Sequence, residues 1–275
     1  MDMWFSYHAY IHDYNALDKY MSEKFPKFIE ENIPDKNNWF FIRYWLGGPH
    51  IRLRVNNKQS FNHEFFREKF QKSIEDFISK ESIKLIDYDN FYNETMLKGE
   101  NISSVFWKQH GIVEKDNYEP EYDRYGGREG MEISENIFSQ SSNLVLKLNT
   151  LSFGYRLIVA TDLLFWTIKE LDLPNSIYST YKEMWKMYKQ LNYSDDSEKK
   201  DYLIKKRVDH LKKLNVPQKA YSEYLEALKK LKGFPLHVIL SHIHMSNNRL
   251  GVHPELEYEI AKSLSEMREL TYEIK

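Results

Sequence analysis

The chain has 275 residues, no cysteine, and 39 basic against 41 acidic residues, for a formal net charge of -2. The absence of cysteine excludes a disulfide framework, thiolate metal centres and a cysteine nucleophile. The even charge balance excludes a protein that grips nucleic acid through bulk basic charge. The length is enough to bury a sizeable core, and with 20 Tyr and 16 Phe that core should be rich in rings.

Met1-Asp2-Met3-Trp4 carries neither a basic nor an apolar leader. Residues 4–11 then place Phe5, Tyr7, Ala9 and Ile11 on one face, the period of a half-buried strand. Leu17, Tyr20, Met21, Phe25 and Phe28 have helical spacing over 15–31. Trp39–Tyr44 and Ile51–Val55 read as two strands joined by the turn Leu46-Gly47-Gly48-Pro49. Asn62–Lys80 is again helical, with Phe66, Phe70, Ile74 and Phe77 on one stripe, and Lys84–Phe91 reads as a fourth strand. The order βαββαβ predicts a ferredoxin-like sheet region over residues 1–100.

Beyond residue 100 the texture changes. A polar loop, Glu114–Gly127, leads into a helix over Glu129–Ser139. Helices are then predicted over 144–172, 175–192, 197–214, 217–232, 234–246 and 254–273, with Asn192–Lys200 as a polar connector. Pro174, Pro217, Pro235 and Pro254 stand near four helix starts, where a missing N–H is tolerated. The most apolar stretch, Leu157 to Trp166, is short and interrupted by Thr161 and Asp162, so it reads as a buried helix. The expectation is an α+β chain, one domain over 1–275 with a mainly helical part from 101, soluble and cytoplasmic, with no membrane partner.

Three segments could carry chemistry. In Pro49-His50-Ile51-Arg52-Leu53-Arg54-Val55 the period of two puts His50, Arg52 and Arg54 on one face and the aliphatic residues on the other. Three potentially cationic neighbours repel, so they belong in solvent or against an anion, and Arg suits a carboxylate. On the strand alone, a solvated sheet face is the simpler reading. In Tyr118-Glu119-Pro120-Glu121-Tyr122-Asp123-Arg124-Tyr125-Gly126-Gly127 the glycines permit close approach to a ligand at a helix N-terminus beside Arg124, or the charges merely pair on the surface. In His242-Ile243-His244-Met245-Ser246-Asn247-Asn248-Arg249-Leu250 a helix would set His244, Asn247 and Asn248 on one face, a proton-transfer group or a satisfied helix end. His242 and His244 point apart on such a helix, and no His-Glu-x-x-His motif is present, which disfavours a metal. Phosphate loops, dinucleotide fingerprints and nucleophile elbows are also missing, so no cofactor is expected.

Taken together, Trp39-Phe40-Phe41-Ile42-Arg43-Tyr44, Pro49 to Arg54, Tyr118-x-x-Glu121-x-x-Arg124-Tyr125-Gly126-Gly127, Glu135-x-x-Phe138 and His244-Met245-x-x-Asn248-Arg249-Leu250 resemble the C-terminal domain of lantibiotic dehydratases. They are also similar to thiopeptide-type bacteriocin biosynthesis proteins. The matches keep the family's order from residue 4 to about residue 257. Ser141-Ser142 departs from the family's frequent Asp-Ser, which puts a local loop or cap in doubt.

The resemblance implies that a separate protein esterifies Ser or Thr of a precursor peptide with glutamate from glutamyl-tRNA. The elimination domain then expels glutamate to leave dehydroalanine or dehydrobutyrine. By motif position it implies Arg52, Arg54, Arg124 and His244 as elimination residues, expected to line one pocket. Arg43, His50, Tyr118, Glu121, Tyr125, Asn248 and Arg249 are the candidate substrate-binding residues around them. The expected partners are the precursor peptide and the glutamylating protein, with a homodimer as an allowed assembly and no direct contact to nucleic acid. The expected role is a stand-alone lyase. One alternative is a thiopeptide pyridine synthase joining two dehydroalanines with release of the leader peptide. Another, of a different class, is a non-catalytic scaffold for the precursor peptide.

Overall fold

The computed structural model describes residues 4–56, 62–99, 102–148, 150–191 and 196–272, and the chain divides into two compact units, Met1–Pro120 and Glu121–Lys275. The first contains the strands β1 (Trp4–Tyr10), β2 (Trp39–Tyr44), β3 (His50–Asn56) and β4 (Val113–Asn117). They form a sheet in the order β2-β3-β1-β4, every neighbouring pair antiparallel. Helices α1 (Tyr14–Glu23) and α2 (Phe25–Asn32) connect β1 to β2, and α3 (His63–Ile78) with the short α4 (Glu94–Gly99) lies between β3 and β4. The α+β class and the βαββαβ order are as expected.

The period of two explains one face of this sheet. Tyr7, Phe41, Leu53 and Val113 are buried beneath the helices, where Phe25 meets Phe41 at 5.2 Å and Phe66 meets Tyr7 at 4.9 Å between ring centroids. Each such ring, fully withdrawn from water, contributes about 1.5–3 kcal/mol. Asp13 caps α1 by accepting from the Asn15 and Ala16 amides at 2.9 and 3.1 Å. The helix expected over 15–31 breaks at Lys24, because Pro26 has no N–H to continue the ladder and instead occupies the first turn of α2. The strand expected over Lys84–Phe91 is not formed. Asp87 turns its side chain onto the Asp89 amide and starts a single 3-10 turn, Tyr88–Asn90. The fourth strand is β4, which begins at Val113 and runs into the stretch expected to be a polar loop from Glu114. At the sheet edge only Val113 among its residues is buried, so the polar residues of the strand carry no apolar alternation to read.

The second unit is helical: α5 (Gly127–Leu148), α6 (Phe153–Glu170), α7 (Ile177–Trp185), α8 (Ser197–Leu211), α9 (Ser222–Lys229), α10 (Leu236–Leu250) and α11 (Pro254–Tyr272), with 3-10 turns at Lys186–Leu191 and Lys219–Tyr221. The helix expected over 144–172 is two helices. Leu148 ends α5, a turn closes from the Leu151 amide to the Leu148 carbonyl at 2.9 Å, and α6 begins after Ser152. The segment Glu129–Ser139 is the first half of the long α5 rather than a separate helix. Of the polar connector, residues 192–195 lie outside the described residues, and Ser197 already opens α8. Helix α6 is apolar nearly all round and runs through the middle of the unit, in contact with α8, α9, α10 and α11. Among the described residues no helix is long and apolar enough to cross a membrane.

Candidate functional site

The second face of the sheet carries the Arg ladder. The register sets Ser6 opposite Arg54, His8 opposite Arg52 and Tyr10 opposite His50, with Phe40, Ile42 and Tyr44 completing the rows on β2. Arg52 and Arg54 are half-buried, whereas Ser6, His8 and His50 are buried. The period of two predicts a half-buried first strand, but β1 is covered on both faces from Ser6 onward.

His50 is not the third cation of the ladder. Its burial, with Arg52 beside it, holds the imidazole well below its usual titration range. The neutral ring donates from Nδ1 to the Gly48 carbonyl at 2.7 Å and accepts from Arg52 Nε at 3.0 Å, so it steers the guanidinium. Gly48 itself lies tight against another imidazole, that of His12. Its φ is +101°, and a Cβ there would stand 2.2 Å from Nε2 of His12. The Arg52 guanidinium lies over the Tyr44 ring at 3.8 Å, and that of Arg54 is 5.2 Å from the Tyr118 ring and 5.5 Å from that of Phe40. His8 is not singled out by the sequence. Its Nε2 is 3.0 Å from Ser6 Oγ and its Nδ1 is 3.5 Å from an Asp116 carboxylate oxygen. Burial foremost, then His50, Arg52, Arg54 and Lys108, push the His8 imidazole down to about 2. Arg43 lies on the other face, since it pairs in register with the core residue Ile51, and it bonds Asp18 of α1 at 2.9 Å. It is thereby separated from the ladder.

In the second unit, Gly126 and Gly127 adopt φ of +80° and +81° and turn the chain into α5. Arg124, just before them, bonds the exposed Glu121 at 3.1 Å and reaches Ser241 Oγ of α10 at 3.4 Å. Tyr125 is buried against Phe138 and His242, with centroids 5.0 and 5.2 Å away. His242 is a core residue. It bonds Ser134 Oγ at 2.9 Å, and burial lowers its imidazole to about 3. Ser141 and Ser142 are neither loop nor cap but buried positions inside α5, with Ser141 Oγ 2.9 Å from Ser246 Oγ. Arg249 is also buried and donates to the Met245 carbonyl at 3.0 Å within α10.

His244 is the partly exposed histidine of the α10 motif, whereas His242 is buried. Its Nδ1 is 2.7 Å from Oε1 of Glu257, a carboxylate on α11 that is wholly buried. Oε2 of Glu257 accepts from the Tyr181 hydroxyl and from Asn247 Nδ2, the latter at 2.9 Å. The Trp185 ring covers the imidazole at 4.5 Å. Of the amides expected beside His244, Asn247 joins this cluster through Glu257, and Asn248 is half-buried on the same helix. Glu257 was missed by sequence reasoning although a signal existed. Leu256, Ile260, Ala261 and Leu264 form the buried stripe of α11, and Glu257 stands on it as an acid at a core position. Among the described residues no group of three His, Cys, Asp or Glu could hold a metal ion.

Residues 4–267 match the family model described as lantibiotic biosynthesis dehydratase C-term, and the chain belongs to that family. Among curated relatives, the epidermin biosynthesis protein EpiB of Staphylococcus epidermidis is 28% identical over 263 residues, which is 87% of this chain and 25% of EpiB. The chain thus spans about a quarter of that relative's length. The fold is shared with three solved structures. The pyridine synthase TbtD from thiomuracin biosynthesis has a TM-score of 0.66 at 14% identity, over 99% of this chain and all of TbtD. The tRNA-dependent lantibiotic dehydratase MibB from Microbispora sp. 107891 has 0.62 at 13%, over 99% of this chain and 28% of MibB. TsrL has 0.61 at 16%, over 99% and 96%.

Proposed function

We propose that this chain is a lyase that expels glutamate from glutamylated Ser or Thr residues of a precursor peptide, leaving dehydroalanine or dehydrobutyrine. The observation that carries the reading is the pair Arg52 and Arg54, permanent cations set against aromatic rings on a face whose histidines are neutral. A glutamyl ester brings one free carboxylate, and a second forms as the Cβ–O bond breaks; planar guanidinium forks suit both better than point charges.

β-Elimination requires a base to take the α-proton, donors for the enolate that forms, and a departing carboxylate that is stabilised as the Cβ–O bond breaks. We assign the carboxylate and developing charge to Arg52, Arg54 and Arg124, and the proton transfer to His244. Family membership and the relation to EpiB support this reading. Arg43 and Arg249 have no part in it, since one is paired on the other face of the sheet and the other is buried.

The direct test offers the purified chain a peptide already glutamylated, without tRNA or a second protein, and follows the peptide by mass spectrometry. Loss of glutamate with formation of the dehydro residue is expected, while the unmodified peptide stays unchanged. Dehydration of the unmodified peptide by the chain alone, or no loss of glutamate from the ester, would refute the assignment.

A further inference from the structure

We propose that Glu257 is a positioning residue that fixes His244 in its Nδ1–H form, so that Nε2 carries the lone pair and His244 acts as the base. The proposal rests on the reading of His244 as the proton-transfer group, and its geometry lies wholly within the second unit. Glu257 is a fully buried carboxylate, which is costly to maintain unless its charge is matched. Its donors are the His244 imidazole, the Tyr181 hydroxyl and the Asn247 amide, none of them a permanent cation. The same unit shows how a buried acid is neutralised for structure alone. Asp162 receives the Arg207 guanidinium on both oxygens, at 2.5 and 2.6 Å, with the Tyr221 hydroxyl at 2.8 Å.

Glu257 differs in that, of these three donors, the one able to take up charge is a histidine that is still partly exposed, at 16% of its side chain. Tyr181 stays a donor, because its burial, and after that the Glu257 carboxylate, raises its phenol well above the usual range. With Tyr181 and Asn247 filling Oε2, Oε1 is left facing His244 Nδ1. Trp185 packed on the imidazole restrains its rotation. A ring held at Nδ1–H has its acceptor at Nε2, the arrangement of a base with its lone pair turned away from the carboxylate. In the step itself the Cα–H bond breaks and Nε2 takes the proton. The electron pair forms the Cα=Cβ bond, and the Cβ–O bond releases glutamate as its carboxylate.

The test begins with long-range proton–nitrogen NMR of the wild-type chain carrying labelled histidine, at a pH where the ring is neutral, with the His244 signals assigned from His244→Gln. The Nδ1–H tautomer is expected, and an Nε2–H tautomer overturns the proposal without need of any Glu257 variant. In Glu257→Gln the two tautomers should mix and elimination from a glutamylated peptide should fall about 10- to 100-fold, with Glu257→Asp recovering part of the loss. A Glu257→Gln chain with an unchanged tautomer and unchanged rate also overturns it. Failure of the functional reading has a different mark, a wild-type chain that leaves the glutamylated peptide intact, and in that case the wild-type tautomer still decides the positioning claim.

Discussion

The guanidinium of Arg54 sits near the Tyr118 and Phe40 rings, contacts that suit a flat, weakly hydrated cation able to present a two-pronged donor to a carboxylate at the same time. We therefore expect Arg54→Lys to lose elimination of a glutamylated peptide nearly as fully as Arg54→Ala, in rate assays on folded protein. A Lys variant within a few-fold of wild type would show that charge alone suffices there. The position of Arg54 was legible in the sequence, because period two puts it beside Arg52 and opposite the aliphatic residues, and the sheet register keeps it there. Period two could not disclose that His50, third in the row, is buried and neutral, since burial depends on which elements cover a face.

At the level of elements, the turn into α5 illustrates a local constraint of another kind. Gly130 stands in the first turn of that helix, where alanine ordinarily stabilises by about 1 kcal/mol. Here a Cβ would fall 1.9 Å from the Tyr125 carbonyl oxygen and 3.0 Å from the Phe234 ring. We expect Gly130→Ala to lower the thermal midpoint, and a raised midpoint would contradict the packing described around Tyr125. Elsewhere the long apolar periods were legible and their interruptions were not. The break at Lys24 follows from Pro26, a signal present in the sequence but outweighed by the apolar stripe on either side of it. The strand β4 was invisible because an edge strand exposed to water need not alternate.

Over the whole molecule, the buried histidines make stability depend on pH in one direction. His8 is held down to about 2, His242 to about 3 and His12 to about 4, with burial the first cause in each. An unfolded chain has imidazoles near 6.5, so below that pH it binds protons that the folded chain refuses. The stabilisation is complete above about pH 6.5 and declines as the pH falls toward the folded values. Each deeply buried histidine removes up to about 1.4 kcal/mol per pH unit in that window. Thermal melts should therefore show a clearly lower midpoint at pH 5 than at pH 7.5, and a higher midpoint at pH 5 would contradict the burial of these rings. The α+β class and the family were readable in the sequence because the motifs occur in order over most of its length, and the family model matches residues 4–267. The Glu257 cluster was not, because it is assembled from three helices that only tertiary packing brings together.

Elimination and cycloaddition are separated most directly by His244→Ala in a system that also contains the glutamylating protein, glutamyl-tRNA and the precursor peptide. Loss of a proton-transfer group costs about 10²–10⁴-fold in rate, enough for the ester to outlive the assay. Mass spectrometry should then find peptides carrying glutamate where the wild type gives dehydro residues. A dehydrated, uncyclised peptide that keeps its leader and carries no glutamate would contradict the elimination role and point to a pyridine synthase instead.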